Sequence, residues 1–155
     1  MIEDKIINRA KLKEIILSLK NKGKTTVFTN GCFDILHIGH IRYLKEAKNL
    51  GDILIVGLNS DRSVSKIKHG RPVTPEEQRA EVLSALYMVD YITLFDEDTP
   101  YELIKKIKPD VLVKGADWDI KDIVGNDIVK NVRNIPLVEG VSTTEIIKKI
   151  RKLKS

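Results

Sequence analysis

His37 and His40 stand three residues apart around Gly39, in the stretch TNGCFDILHIGHIRYL that begins at Thr29. They are two of the chain's three histidines. An apolar, strand-like run ends just upstream at Asn30, Gly31 permits a tight turn, and helical patterning starts near Ile38 or Gly39. Residues three apart on a first helical turn share a face. Gly39 has no side chain, so a ligand can approach the backbone amides there. Unpaired amides and the helix dipole make a helix start an anion site, and two imidazoles add two hydrogen-bond donors. The guest that suits this arrangement is a phosphate, and the chemistry is transfer at phosphorus. An attacking phosphate oxygen is already anionic at neutral pH, so no general base is needed. The site must align two anions and stabilise charge on the equatorial oxygens and the leaving group. The histidines are therefore expected to donate to phosphate rather than to act as bases. Zinc fits less well, because the pair supplies only two ligands and His69 and Cys32 are at no zinc spacing.

The chain has 155 residues, enough for one domain with a full core. Its formal net charge of +5 suits an anionic small substrate or nucleic acid, and is also what a lysine-rich solvated surface gives. No aromatic-rich strand or helix-turn-helix pattern supports nucleic-acid binding. The single cysteine, Cys32, excludes an intramolecular disulfide and a cysteine metal cluster, and it reads as buried filler. The N-terminus is charged throughout, and no apolar run approaches the roughly 20 residues of a membrane span. A cytoplasmic protein with no membrane partner is expected.

Apolar runs at 25–30, 53–59, 91–95, 111–114 and 135–138 read as short buried strands. Helical patterns lie near 9–21, 39–50, 75–87, 99–107, 122–132 and 143–153. Thr74, Thr99 and Ser142 each precede a glutamate by three residues, the pattern of a capping box. The C-terminal KKIRKLKS reads as a basic helix end. Strands alternating with helices imply an α/β fold with a five-stranded parallel sheet covered on both faces. Ligands of such sheets bind at the carboxyl ends of the strands, near a topological switch point.

TNGCFDILHIGH resembles the signature of the cytidylyltransferase-like nucleotidyltransferases, whose hallmark is H-x-G-H. LGDILIVGLNSD, RPVTPEEQRAEVLSAL, VDYITLFDEDTP, IKPDVLVKGADW and EGVSTTEIIKKI resemble, in order, the adenylyltransferase domain of the bifunctional ADP-heptose synthesis proteins. The resemblance runs over roughly residues 10 to 152. It implies a Rossmann-like three-layer domain spanning 1–155, with an N-terminal helix in 1–24, a core over 25–141 and a C-terminal helix in 142–155. It implies transfer of AMP from ATP to D-glycero-β-D-manno-heptose 1-phosphate with release of pyrophosphate, Mg2+ as cofactor, and a possible homodimer. The transferase would stand alone and depend on a separate kinase.

The resemblance also implies roles. His37 and His40 would hold the nucleotide phosphates through the transition state, and Lys66 and Lys68 would clamp them. Thr29, Asn30, Gly31, Phe33 and Asp34 would form the phosphate and substrate floor, with Asp34 on the substrate. Asn59, Asp61, Arg71 and Arg79 match positions that contact substrate, sugar phosphate or nucleotide. Lys114, Gly115 and Asp117 would line the nucleoside pocket, and Ser142, Thr143 and Thr144 would reach the phosphates. Each has a blander reading. Ser142 makes a plain N-cap, two loop lysines are commonly just solvated, Arg79 suits a mid-helix salt bridge, and Asp34 suits a turn. Trp118 reads as core or interface packing.

Glycerol-3-phosphate cytidylyltransferases offer the competing assignment. They share H-x-G-H and a segment like GADW, but carry an arginine where this chain has Leu137. A non-catalytic nucleotide-binding module on the same fold is the third reading, and the intact histidines and lysines argue against it.

Overall fold

The computed structural model describes residues 1–153. Lys154 and Ser155, the end of the expected basic terminus, lie outside them. The elements in chain order are α1 (Arg9–Asn21), β1 (Thr26–Gly31), α2 (Ile38–Lys48), β2 (Ile53–Asn59), α3 (Asp61–Ile67), α4 (Glu76–Ser84), β3 (Tyr91–Phe95), α5 (Tyr101–Ile107), β4 (Val111–Gly115), β5 (Asn131–Ile135) and α6 (Thr143–Lys152). The strands form one parallel sheet in the order β3-β2-β1-β4-β5. The fold is thus Rossmann-like α/β. Among the described residues no helix is long and apolar enough to cross a membrane.

Successive strand residues point to opposite faces of a sheet, so a strand buried on both sides must be apolar at nearly every position. Val27 and Phe28 on β1 show the result. Val27 joins one core cluster with Leu54, Val56, Val113, and Leu44 and Ala47 of α2. Phe28 joins the other with Ile55, Leu112, Leu12 and Ile16 of α1, and Leu103, Ile104 and Ile107 of α5. The sheet is the middle of three layers, with α2 and α4 on one face and α1 and α5 on the other. Gly57 lets the layers close, since a Cβ there would come within 2.7 Å of the Phe28 ring.

The chain winds from β1 to β2 to β3, then returns across β1 to place β4 on its far side. The switch point therefore falls between β1 and β4, whose carboxyl ends are Gly31 and Gly115.

Four local expectations are corrected. The fifth strand is Asn131–Ile135, and Leu137 and Val138 lie beyond it. β5 is a sheet edge whose Asn131, Arg133 and Asn134 are exposed, so it carries no apolar run. No α-helix occupies 122–132. A short 3-10 turn at Ile120–Asp122 is followed by Gly125 at φ +94°, and Ile123 and Val129 anchor the segment as buried loop residues. Lys66 lies on a helix, α3, rather than in a loop, and the Ser60 hydroxyl caps it by accepting from the Ser63 amide. Of the three capping sites, Ser142 accepts from the Glu145 amide at 3.1 Å. Thr74 and Thr99 do not cap their helices, because each lies one residue ahead of the N-cap, which is Pro75 for α4 and Pro100 for α5.

Candidate active site

The histidine turn is built by the backbone it caps. His37 is the N-cap of α2 in extended conformation, and its Nδ1 accepts from the Gly39 amide at 3.1 Å. The His37 amide in turn donates to Nδ1 of His40 at 3.4 Å. The two rings stack with centroids 3.8 Å apart. Gly39 is needed for this fold-back, since a Cβ there would come within 2.9 Å of the His37 ring. Its amide is thus taken by His37 and is not left open for a ligand, which corrects the expectation for that group.

Both Nδ1 atoms accept backbone protons, so each neutral imidazole carries its hydrogen on Nε2. Burial keeps the rings neutral. It lowers the His37 pKa, and it drives that of His40 down to about 4, with the neighbouring His37 and Lys68 adding to the effect. The turn thus presents two neutral Nε2–H donors with no acceptor among the described residues.

These donors line a cavity of about 330 Å³ over the switch point. Asn30, Gly31 and Phe33 lead into it from β1, and the Phe33 ring lies 5.4 Å from His40. Lys68 and Arg71 reach it from the loop after α3. Lys114, Gly115 and Asp117 reach it from the end of β4, and Ser142, Thr143 and Thr144 from the head of α6. Lys114 donates to the Asn30 carbonyl at 3.3 Å, and burial lowers its pKa. Arg71 touches the Thr144 hydroxyl at 3.4 Å. A second lobe of about 540 Å³ shares the Asn30–Cys32, Lys68, Lys114 and Asp117 walls and extends to Asn59, Asp98 and Thr99. Two lobes joined at a set of cations suit two anionic partners that must meet.

Several residues singled out in the sequence stand elsewhere. Thr29 is fully buried beneath the cavity, its hydroxyl 2.7 Å from that of Tyr43. Lys66 points outward to Asp98 at 3.4 Å in an exposed pair, so it clamps nothing in this arrangement. Arg79 is 2 % exposed and wholly engaged behind the wall. It donates to the carbonyls of Thr74, Cys32 and Asn59 and pairs with Asp61 at 2.8 Å. Arg79 and Asp61 therefore tie strand ends together and line neither lobe. Asn59 faces the second lobe while its amide donates to the Ser63 hydroxyl at 2.9 Å.

Other wall residues were not expected. Trp118 is 45 % exposed, lines both lobes and lies 5.8 Å from the Lys114 ammonium, so it is not core packing. Cys32 is half-buried in both walls rather than filler. Leu137, Val138 and Val141 give the first lobe an apolar side. Tyr43 also lines it, and spacing could have found this residue, since it follows His40 by three on the same helix.

A family model described as cytidylyltransferase-like matches residues 28–152. The chain belongs to that family. Among the curated relatives, the Bifunctional protein HldE of Campylobacter concisus is 59 % identical over 154 residues, covering 99 % of this chain and 32 % of that protein. HldE of Nitratiruptor sp. is 54 % identical over 150 residues, again with 32 % of its length covered. The chain thus spans about a third of the curated relatives it matches. The crystal structure of a lipopolysaccharide core biosynthesis protein from Thermoplasma volcanium superposes with a TM-score of 0.66 at 33 % identity, covering 76 % of this chain and all of that one. A pantoate-beta-alanine ligase from Francisella tularensis shares the fold, with a TM-score of 0.61 at 20 % identity over 96 % of this chain and 78 % of that one.

Proposed function

We propose that the chain is a nucleotidyltransferase that moves AMP from ATP to D-glycero-β-D-manno-heptose 1-phosphate, giving ADP-heptose and pyrophosphate. The observation that carries the reaction class is the pair of stacked, neutral imidazoles, with both Nε2–H donors turned to a cavity that also holds Lys68, Arg71 and Lys114. The acceptor sugar rests on the likeness to the HldE proteins.

A phosphate oxygen of the sugar attacks the α-phosphorus of ATP, the new P–O bond forms, and the bond to the β-phosphate breaks. The electron pair leaves with pyrophosphate. No proton need be removed from the attacking oxygen, and histidines held neutral by burial serve as donors to the equatorial oxygens. Such preorganised donors act where charge develops and need no reorganisation during the step. Lys68, Arg71 and Lys114 offset the charge of two anions brought together.

Magnesium is part of the proposal. The described residues contain no group of three or more metal-ligating side chains, so the protein offers no closed cage. Mg2+ typically binds through one or two carboxylates plus substrate phosphates. Asp117, in the wall of both lobes, is the carboxylate that would help hold an ion arriving with the nucleotide. Bound there, magnesium supplies neutralisation of the triphosphate and of the leaving pyrophosphate. A homodimer and a cytoplasmic location belong to the same reading.

The competing reading, cytidylyl transfer to glycerol 3-phosphate, is tested in the same assay. Pyrophosphate release is measured with magnesium, pairing ATP and CTP separately with heptose 1-phosphate and glycerol 3-phosphate. Release with ATP and heptose 1-phosphate alone is expected. Release only with CTP and glycerol 3-phosphate would keep the chemistry and replace both substrates, and no release from any pair would sink the reading.

A further inference from the structure

Asp34 closes the TNGCFD stretch and is 4 % exposed. Its carboxylate is engaged on both oxygens. Oδ2 accepts from the Val73 amide at 2.7 Å and Oδ1 from the Thr74 amide at 2.9 Å. Its own carbonyl accepts from the Thr143 hydroxyl at 2.6 Å. One residue thus grips the loop that carries Lys68 and Arg71, and also the head of α6. These partners are 39, 40 and 109 residues away along the chain.

The backbone on either side is left-handed at two residues that are not glycine, Phe33 at φ +47° and Ile35 at φ +50°. A bulky or β-branched residue in that region is a genuine outlier. Strain of this kind persists only where surrounding contacts over-determine it, and it gathers at functional positions. Here it brackets the one residue whose side chain and carbonyl hold two different segments against the histidine turn. Asp34 is therefore poorly placed to bind substrate directly, although it borders the cavity.

We propose that Asp34 is a positioning residue. Its carboxylate fixes the 68–74 loop and its carbonyl fixes the start of α6, so that Lys68, Arg71 and the Ser142–Thr144 turn line one cavity with His37 and His40. What the gathered groups do rests on the nucleotidyl-transfer reading, whereas the latch itself does not.

The test is a double-mutant cycle on the full chain, read as the Kd of α,β-methylene-ATP with magnesium by calorimetry. Asp34→Asn keeps the shape but turns an NH2 toward an amide that needs an acceptor. Asp34→Asn and Lys68→Ala should each weaken binding by about tenfold, and the double variant should bind no worse than the weaker single one. Residues that act independently give additive losses instead, and additivity would overturn the proposal, because a merely structural Asp34 would not have its effect cancelled by removing Lys68. Amide exchange by NMR on the unmodified chain decides the matter even if Asp34→Asn does not fold. The Val73 and Thr74 amides should exchange well behind those of His69 and Gly70, and equal rates would overturn the latch. Coupled, latch-dependent binding without pyrophosphate release from any sugar phosphate would leave the latch standing and remove the proposed reaction.

Discussion

Two helices begin at the cavity, and they are held in opposite ways. α2 buries Leu44 and Ala47 completely in the core, and its first turn is closed by His37 folding back on Gly39. α6 buries no residue completely, and its Ile146 and Ile147 are only half-buried. Its Ile150 is 55 % exposed, and its head is held by polar contacts from Thr143 to Asp34 and from Arg71 to Thr144. It joins the sheet through Gly140 at φ +70°. The cavity thus has one wall set by packing and another set by a few hydrogen bonds. Donors at a reacting phosphorus gain from fixed geometry. Groups that must admit a nucleotide and release a product are drawn from less stable parts of a fold. The same chain meets both needs by anchoring the two helix heads differently.

The largest break in the fixed wall should come from Arg79→Ala. It strips a buried guanidinium from the carbonyls of Thr74, Cys32 and Asn59 and should lower unfolding stability by about 3–5 kcal/mol, measured by urea titration. A loss below about 1 kcal/mol, the range of an exposed pair, would mean that Arg79 does not anchor the strand ends. Next in size, His37→Ala or His40→Ala should reduce kcat by on the order of a hundredfold, as for other preorganised donors. Near-normal turnover in both would remove the donors from the mechanism.

Smaller effects sharpen the contrast between the helices. Ser142→Ala removes the N-cap of α6 and should weaken that helix by ~1 kcal/mol. Because α6 buries no residue completely, the loss should appear as faster exchange of the Glu145 amide with little change in the global melting temperature. His37→Ala also removes an N-cap, but from a helix packed in the core, so its melting temperature should fall. Equal behaviour of the two variants would erase the distinction between the walls.

The pH dependence adds the finest test. His40 has its pKa lowered from 6.5 to about 4 in the folded chain. The unfolded chain therefore binds the extra proton first, and stability should fall as pH drops from about 6.5 toward 4. Glu97, held at about 2 by Arg9, contributes stability that is present above 4.5 and lost as pH falls toward 2. In His40→Gln the melting temperature should flatten in the upper window alone.

What could be read from the sequence follows the same division. β1 to β4 are covered on both faces, so their apolar runs are continuous and plain. β5 has only Ile135 buried, and its sequence carries no such mark. The apolar residues just beyond it drew the strand too far along the chain, although Leu137 and Val138 serve the cavity. Val124 and Ile128 stand four apart, as on a helical face, yet Gly125 at φ +94° turns the chain. At the site, residues adjacent in sequence to the histidines were legible because one turn carries them. Trp118 comes from a distant point along the chain, and only the assembled fold shows that it faces the cavity. Lys66 and Lys68 look equivalent in SVSKIKHG, yet the end of α3 sends one outward to Asp98 and the other to the cavity wall.

The polar edge that hid β5 has a further use. A parallel sheet with an apolar, flat outer strand offers its unpaired amides and carbonyls as a template for another copy. On this edge Asn131, Arg133 and Asn134 stand in solvent, and Arg133 folds back on Asn131 at 3.0 Å. At the opposite edge, Ile6 bridges to Ile92 and the Ile7 amide takes the Ile92 carbonyl, so β3 is partly covered. One border is therefore guarded by charge and hydration and the other by the chain's own N-terminal segment, which keeps a lysine-rich enzyme with an apolar centre from polymerising strand by strand.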